Sequence, residues 1–318
     1  MKILIAYDGS SCADRALKDL RHAGLPNRAE AIVVTVGEQW LPHPAPATHE
    51  KVDGLKTLVP PEDTFEQPTP ASEAARDLAF EACKTVLSLF PEWEVGSEVY
   101  RGSPATELLA KADEWGADLV VVGSHGRSAL GRFILGSVSQ KVVTEAHCSV
   151  RIARGSEDQT DSGQRIMVAV DGSPCSMAAV QAVTERAWGP GADAYVVTVY
   201  DLITPTAVGQ FIPPVVSMVQ EGNEGLRKRA QAIAEKAAEE LRQSGLATST
   251  IVGAGDPKHV LLEEAQSLAV DSIFVGARGL TRVDRFLLGS VSAAIAARAH
   301  CSVEVVRPRS LGRGSSSS

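Results

Sequence analysis

The amino-acid sequence predicts an α/β protein made of two tandem doubly wound domains, each a five-stranded parallel sheet flanked by helices. Two observations predict this fold class. Short apolar runs of strand length alternate with segments whose apolar residues recur at helical spacing, which indicates parallel βαβ units with right-handed crossovers. The order of these segments starts again near residue 165, so the chain contains the same unit twice.

Length and composition agree with this interpretation. The 318 residues are enough for about two domains that each bury a core. The net charge of −8 argues against a broad nucleic-acid or anionic-membrane surface, and no apolar run approaches the length of a membrane span. The apolar N-terminus soon meets an aspartate, so it is typical of a strand and not of a signal peptide. The five cysteines match no zinc or CxxC spacing, and we expect a cytoplasmic protein with reduced thiols.

The first half opens with an apolar run at residues 2–6, typical of a central parallel strand. An Asp-Gly-Ser turn at residues 8–10 caps a helix that is predicted to stop at Gly24, and a second strand follows at residues 31–36. Residues 40–70 lose periodicity and collect prolines, which predicts a long surface loop that acts as a lid or a partner site.

Three further elements precede the glycine motif in the chain. A helix is predicted near residues 72–89, and an alternating, more exposed strand at residues 95–100. Ser103 and Pro104 are a cap and a first-turn proline, so they begin the next helix.

The strongest functional pattern follows an apolar strand at residues 119–122. It reads Gly, two residues, Gly, nine residues, Gly-Ser, and its members are Gly123, Gly126, Gly136 and Ser137. Ser137 is predicted to cap the next helix, with Gln140 completing a capping box. Glycines let backbone N–H groups approach an anion closely, and a helix N-terminus adds unpaired donors and a positive dipole end. The pattern therefore predicts an anion site at a strand–loop–helix junction.

The second half repeats this order and the pattern. Its predicted elements are a strand at 165–170, a turn at Asp171, a helix, a strand at 194–199, a Pro-bearing loop at 200–223, a helix at 226–241, a strand at 248–252 and a helix that starts at Asp256-Pro257. The second glycine pattern is Gly276, Gly279, Gly289 and Ser290. Two copies with the same spacing and flanks favour a ligand site over simple turns.

Domain boundaries follow from the repeat. Residues 1–154 and 165–307 form the two domains, residues 155–164 form a polar linker, and a Ser- and Gly-rich tail at 308–318 is expected to be mobile. In doubly wound sheets, ligands bind beyond the carboxyl ends of the strands, where the strand order reverses. Asp8 and Gly123 face that crevice if their strands are neighbours.

With these motifs the chain resembles the universal stress protein family in its tandem form, over nearly all of both domains. The resemblance implies a Rossmann-like strand order of 3-2-1-4-5 and binding of ATP, with or without Mg²⁺, in each half. It implies that backbone at Val36 and Val199 holds adenine, and that the glycine loops hold ribose and phosphates. The implied contacts are Ala6, Asp8, Val36, Gly123, Gly126, Gly136, Ser137 and Val138 in the first half, and Ala169, Asp171, Val199, Gly276, Gly279, Gly289, Ser290 and Val291 in the second.

The resemblance also implies pairing through the fifth strand, here residues 149–153 and 302–306. One chain could close this pair on itself as a pseudo-dimer, and two chains could associate further as a homodimer. The halves differ between their first two glycines, where His125 of the first half corresponds to Arg278 of the second. Because arginine can fork onto phosphate oxygens and the charge of histidine depends on pH, the two sites are not expected to be equal.

Several residues keep two interpretations. Asp8 and Asp171 could hold Mg²⁺ or a ribose hydroxyl, or they could serve only the Asp-Gly-Ser turn. His125 could be a base for ATP hydrolysis, although a loop residue that lines the site is favoured. The repeated pairs His147-Cys148 and His300-Cys301 could form a metal or redox site, but buried thiols at a turn are favoured.

The sequence is therefore interpreted as a nucleotide-dependent stress-response or signalling protein that acts through an unidentified protein partner. No nucleophile, orienting pair or metal cluster stands out, so binding is favoured over catalysis. One alternative is a slow ATPase or a nucleotidyl-transfer enzyme of the adenine-nucleotide α-hydrolase type. Another is an interaction scaffold whose glycine loops bind no nucleotide. The P-loop lysine motif and the GxGxxG fingerprint are absent from the sequence.

Overall fold

The computed structural model describes residues 1–37, 70–125, 135–154, 163–205, 212–280 and 288–308. The first half contains strands Lys2–Ala6 (β1), Glu30–Gly37 (β2), Glu94–Arg101 (β3), Leu119–Gly123 (β4) and Ser149–Ala153 (β5), and helices Ser11–Asp19 (α1), Pro70–Leu89 (α2), Pro104–Trp115 (α3) and Ser137–Glu145 (α4). The second half contains strands Arg165–Ala169 (β6), Asp193–Tyr200 (β7), Ala247–Ala254 (β8), Ser272–Gly276 (β9) and Ser302–Val306 (β10), and helices Pro174–Thr184 (α5), Pro213–Gln243 (α6), Pro257–Ser267 (α7) and Ser290–Arg298 (α8).

The ten strands form one continuous sheet with the order β3-β2-β1-β4-β5-β10-β9-β6-β7-β8. Each half therefore has the order 3-2-1-4-5, and its neighbouring strands are parallel. This confirms the predicted α/β class and doubly wound topology. Strands β5 and β10 join the halves in an antiparallel pair in which Arg151 lies opposite Glu304. These are the fifth strands that the resemblance expected to pair.

The core follows from the apolar strands. Ile3, Leu4 and Ile5 of β1 are fully buried, as expected of a central strand covered on both faces. On one face a single hydrophobic cluster runs through both halves beneath α3, α4, α7 and α8. On the other face, two separate clusters lie beneath the α1/α2 and α5/α6 pairs. The shared cluster makes one face of the sheet continuous across the two halves.

Two local predictions were wrong. Residues 213–223 are not loop, because α6 begins at Pro213. Prolines suggested a loop there, but the first turn of a helix tolerates proline, since its N–H groups have no intrahelical acceptor. Ser137 and Ser290 are not helix caps. Gly136 and Gly289 hold the extended cap conformation, and each serine is the first helical residue.

Some sequence predictions lie outside the described residues. These are the Pro-rich loop up to residue 69, most of the linker, the tail after residue 308 and Gly126 of the first glycine pattern. In the part of the chain that the structure describes, no helix is long and apolar enough to cross a membrane.

Candidate functional site

A cleft of about 300 Å³ opens at the carboxyl ends of β6, β7 and β9, beside the first turn of α8. Strand β6 lies between β7 and β9, so this is the point where the strand order reverses. The structure brings together at this cleft all nine second-half residues that the sequence singled out: Ala169, Asp171, Val199, Gly276, Arg278, Gly279, Gly289, Ser290 and Val291. Residues from separate parts of the second half thus form one site.

One side of the cleft is apolar. Val199 at the end of β7 lies with Pro257 and Leu261 of α7 along this wall. Leu261 is buried, so its position is fixed by the core beneath. Sequence reasoning missed Pro257 and Leu261 as site residues, although they stand where the predicted helix begins. Together they form an apolar surface suited to a flat aromatic ring.

The first turn of α8 supplies hydrogen-bond donors to the cleft. The N–H groups in the first turn of a helix have no intrahelical acceptor, and the dipole favours negative charge there. Ser290, Val291 and Ser292 line the cleft at this turn. The Gly289 N–H is not one of the available donors, because it donates to the Ala277 carbonyl at 2.8 Å. The arrangement can therefore bind an anion at α8 through the residues after the glycine.

The glycines of the pattern have packing roles. A Cβ at Gly276 would lie 2.5 Å from the Cys175 carbonyl carbon, so a larger residue would separate β9 from α5. A Cβ at Gly279 would lie 2.6 Å from Asp171 Oδ2. The glycine spacing that predicted an anion loop is thus also required by the close packing of strand, loop and helix.

Asp171 joins two segments of the site. Its Oδ1 accepts from the Ser173 N–H at 2.9 Å, and its Oδ2 accepts from the Leu280 N–H at 3.3 Å. Asp8 makes the equivalent turn bond, since its Oδ1 accepts from the Ser10 N–H at 2.9 Å. The turn interpretation of both aspartates is therefore present in the structure, and Asp171 additionally lines the cleft.

Two serines that the sequence analysis did not single out hold the helices in place. Ser292 Oγ donates to the Gly276 carbonyl at 2.6 Å, and Ser139 Oγ donates to the Gly123 carbonyl at 2.6 Å. Both serines are buried. Each bond ties the first turn of a helix, α8 or α4, to the end of the strand beside it. The signal was available, because both copies read Gly-Ser-Val-Ser.

The second-half cleft is lined by one arginine and two aspartates, Asp171 and Asp201. Arg278 lines the cleft beside the glycine loop. Arg278 also interacts electrostatically with Arg307. Burial lowers the pKa of Arg307, and the positive charge of Arg278 lowers it further. Of these two arginines only Arg278 lines the cleft, since the guanidinium of Arg307 donates to the carbonyls of Cys148 and Val143 in the first half.

The described part of the first half repeats the framework. Ala6, Asp8 and Val36 lie at the carboxyl ends of β1 and β2, next to Gly123 at the end of β4. The predicted contacts Ser137 and Val138 are the first two residues of α4, and they follow Gly136, whose N–H donates to the Ser124 carbonyl at 2.8 Å.

The first half differs in two places. His125 replaces Arg278, and its Nδ1 lies 3.0 Å from Ser124 Oγ. Burial lowers the pKa of His125, and Arg154 and Arg15 lower it further, which favours the neutral ring. Beside Val36 on β3 stands Tyr100, where the second half has Gly253 beside Val199. The two halves therefore present different side chains at both ends of the site.

Fold and cleft together define a tandem protein of the doubly wound class, with a cleft at the switch point of its second half. Comparison with known proteins identifies the family: the model described as "Universal stress protein family" matches residues 1–154 and 163–307. The chain belongs to the universal stress protein family and contains two of its domains.

Individual relatives agree. A universal stress protein of Mycolicibacterium smegmatis is 32% identical over 241 residues, which cover 74% of this chain and 78% of that protein. One of Methanocaldococcus jannaschii is 30% identical over 155 residues, 48% of this chain and 81% of that protein. The crystal structure of a universal stress protein from Archaeoglobus fulgidus has a similar fold, with a TM-score of 0.62 at 19% identity over 96% of this chain and 98% of that one.

Proposed function

We propose that each half of this universal stress protein binds an adenine nucleotide, ATP, and that occupancy controls its association with a protein partner in the cytoplasm. The observation that carries the proposal is the second-half cleft, in which apolar residues of β7 and α7 and a helix N-terminus with an arginine line one space. A nucleotide has the same two chemical ends, a flat base and a chain of phosphates.

The chemistry of the cleft supports a definite orientation. The base would lie against Val199, Pro257 and Leu261, because these residues form the apolar wall. The phosphates would lie at the first turn of α8 and near Arg278, because unpaired N–H groups and a guanidinium both stabilise anions. The volume of about 300 Å³ lies at the lower end of the range for small-molecule sites.

The first half supports the same proposal less strongly. Its framework at Ala6, Asp8, Val36 and Gly123 is equivalent, but His125 stands where the second half has Arg278. A neutral imidazole contributes less to phosphate binding than a guanidinium. We therefore infer weaker binding in the first half, with Mg²⁺ as the counterion that both sites could use.

Charge placed at the start of α8 gives the sharpest test. Ser290→Glu puts a carboxylate at the first helical position, where it favours the helix dipole and keeps the fold. The same carboxylate repels phosphates from the second-half cleft. Native mass spectrometry and calorimetric titration with Mg-ATP should show one nucleotide fewer per chain, or affinity for one site reduced roughly tenfold or more.

Two controls accompany this variant. Ser290→Ala removes the hydroxyl without adding charge and should weaken binding much less. Ser137→Glu makes the matched change in α4 and should affect only the nucleotide of the first half. Wild-type stoichiometry and affinity in Ser290→Glu would contradict the proposed site.

A further inference from the structure

The two halves meet through a buried network of charged residues centred on the β5–β10 pair. Arg151 of β5 lies opposite Glu304 of β10, and both side chains are buried. Arg151 Nε donates to Asp19 Oδ2 at 2.8 Å within its own half, and its Nη2 donates to Ser272 Oγ across the interface at 2.9 Å. Glu304 pairs with Arg186 of its own half.

The centre of this network is an ion pair between the halves. Arg151 Nη1 and Glu304 Oε2 have no hydrogen-bond partner among the described residues, and they face each other at 3.8 Å. Burial alone lowers the pKa of Arg151, but Asp19 and Glu304 outweigh that effect, so the net pKa is raised and the group stays cationic. Buried ion networks of this kind add little net stability, but removing one partner leaves an uncompensated charge.

The internal repeat shows which halves the charges of this network allow to pair. Residues 151 and 304 occupy the same position of the fifth strand in the two halves, since the repeat offset here is 153 residues. If two first halves paired in this geometry, Arg151 would face another Arg151. Two second halves would place Glu304 against Glu304. Like charges directly opposite each other on paired strands are destabilising, and more so when they are buried.

A hydrogen-bond partner would also be lost in a pair of first halves. The residue equivalent to Ser272 in the first half is Leu119, at the same offset. Arg151 Nη2 would then face an apolar side chain in place of the Ser272 hydroxyl. A buried guanidinium that loses both Ser272 and Glu304 pays a large desolvation penalty.

Packing opposes a pair of second halves. Trp188 packs on Gly24 across the interface, where a Cβ would lie 2.8 Å from the indole ring. The residue equivalent to Gly24 in the second half is Ala187, because the offset in this part of the repeat is 163. In a pair of second halves Trp188 would meet that alanine Cβ. The observed pair avoids the clash because only the first half has glycine at this position.

We propose that this interface is specific for unlike halves: the fifth-strand surface of a first half accepts a second half and rejects a copy of itself. The partner that fits it is the second half of the same chain, or the second half of another copy. Association of chains by like-with-like pairing of fifth strands is therefore excluded. The inference is independent of nucleotide binding.

The test uses two full-length chains with different affinity tags. One carries Arg151→Glu and so has an altered first half with an intact second half. The other carries Glu304→Arg and has the reverse. If only unlike halves pair, the mixed combination alone can form a wild-type interface, between the second half of one chain and the first half of the other. Coexpression and tandem affinity purification should then recover the mixed pair at a level roughly tenfold above either same-variant pair. Because the mixed pair also sets opposite charges against each other between like halves, the same preference must appear with Gly24→Ala and Ser272→Leu chains, which create no such complementary pair.

Two differently tagged wild-type chains give the baseline, and Arg28→Glu, an exposed charge reversal, controls for nonspecific effects. Recovery of same-variant pairs at or above the level of the mixed pair would overturn the proposal, because each still has one unaltered half that could pair with its like. If the charge-reversed chains are insoluble in every combination, Gly24→Ala and Ser272→Leu chains carry the same comparison. Equal recovery of all combinations there would also overturn it.

Discussion

At the scale of single residues, the glycines of the repeated pattern can serve close packing or close approach of the backbone to an anion, and the sequence cannot separate these two roles. Glycine spacing predicted an anion loop, and the three glycines of the second-half pattern line the cleft. The structure adds that Gly276 lets β9 contact the start of α5, and that Gly289 uses its N–H within the protein. Part of the pattern is therefore explained by packing, and the backbone N–H groups that line the cleft belong to the residues after Gly289 in α8.

The matched glycines Gly276 and Gly123 give a prediction about this packing. A Cβ at Gly276 would lie 2.5 Å from backbone of Cys175, whereas one at Gly123 would lie 3.2 Å from backbone of Cys12. Gly276→Ala should reduce the free energy of unfolding by about 1–3 kcal/mol, and Gly123→Ala by clearly less. Urea unfolding of the two variants measures both values. A larger loss in Gly123→Ala would show that the close approach at β9 does not limit the packing.

At the scale of elements, the helices α4 and α8 are positioned by a serine that no capping rule identifies. The rule looks for a side chain that accepts from the helix N-terminus, and it selected Ser137, whose counterpart in the second copy is Ser290. The chain instead uses glycine for the extended cap and the second serine of Gly-Ser-Val-Ser to bond the preceding strand. The apolar periodicity that predicts the helices is local, whereas this bond depends on which strand lies beside them.

Removing one such bond should weaken one site and spare the other. Ser292→Ala leaves the Gly276 carbonyl without its serine donor, which should cost about 0.5–1.5 kcal/mol of stability. Because the first turn of α8 would be less firmly held at the cleft, Mg-ATP should also bind the second half more weakly in a calorimetric titration. Ser139→Ala is the matched variant in α4. The proposal for α8 fails if Ser292→Ala changes first-half binding instead.

At the scale of the whole molecule, the sequence predicted the topology of each half better than the relation between them. The repeat, the apolar strands and the family resemblance led to the order 3-2-1-4-5, which is found twice. The side chains that join the halves were not found this way. Nothing in a single repeat marks Arg151, Glu304 or Trp188 as interface residues. Their contacts can be recognised only when the second repeat is packed against the first.

Gly24 tests the fit between the halves directly. Gly24→Ala introduces a Cβ 2.8 Å from the ring of Trp188 at a backbone φ of +58°, so it combines a clash with backbone strain. Gly116→Ala has nearly the same strain at φ +68°, with no atom within 4 Å of the new Cβ, and so serves as its control. Thermal or urea unfolding should show Gly24→Ala less stable than Gly116→Ala by about 1–3 kcal/mol.

Adding Trp188→Leu to Gly24→Ala should restore part of that difference, because the smaller side chain, which is the one found at the equivalent Leu25, leaves room for the Cβ. Equal losses in the two alanine variants would mean that the interface adapts to the added atom, and that the charges alone distinguish unlike from like halves.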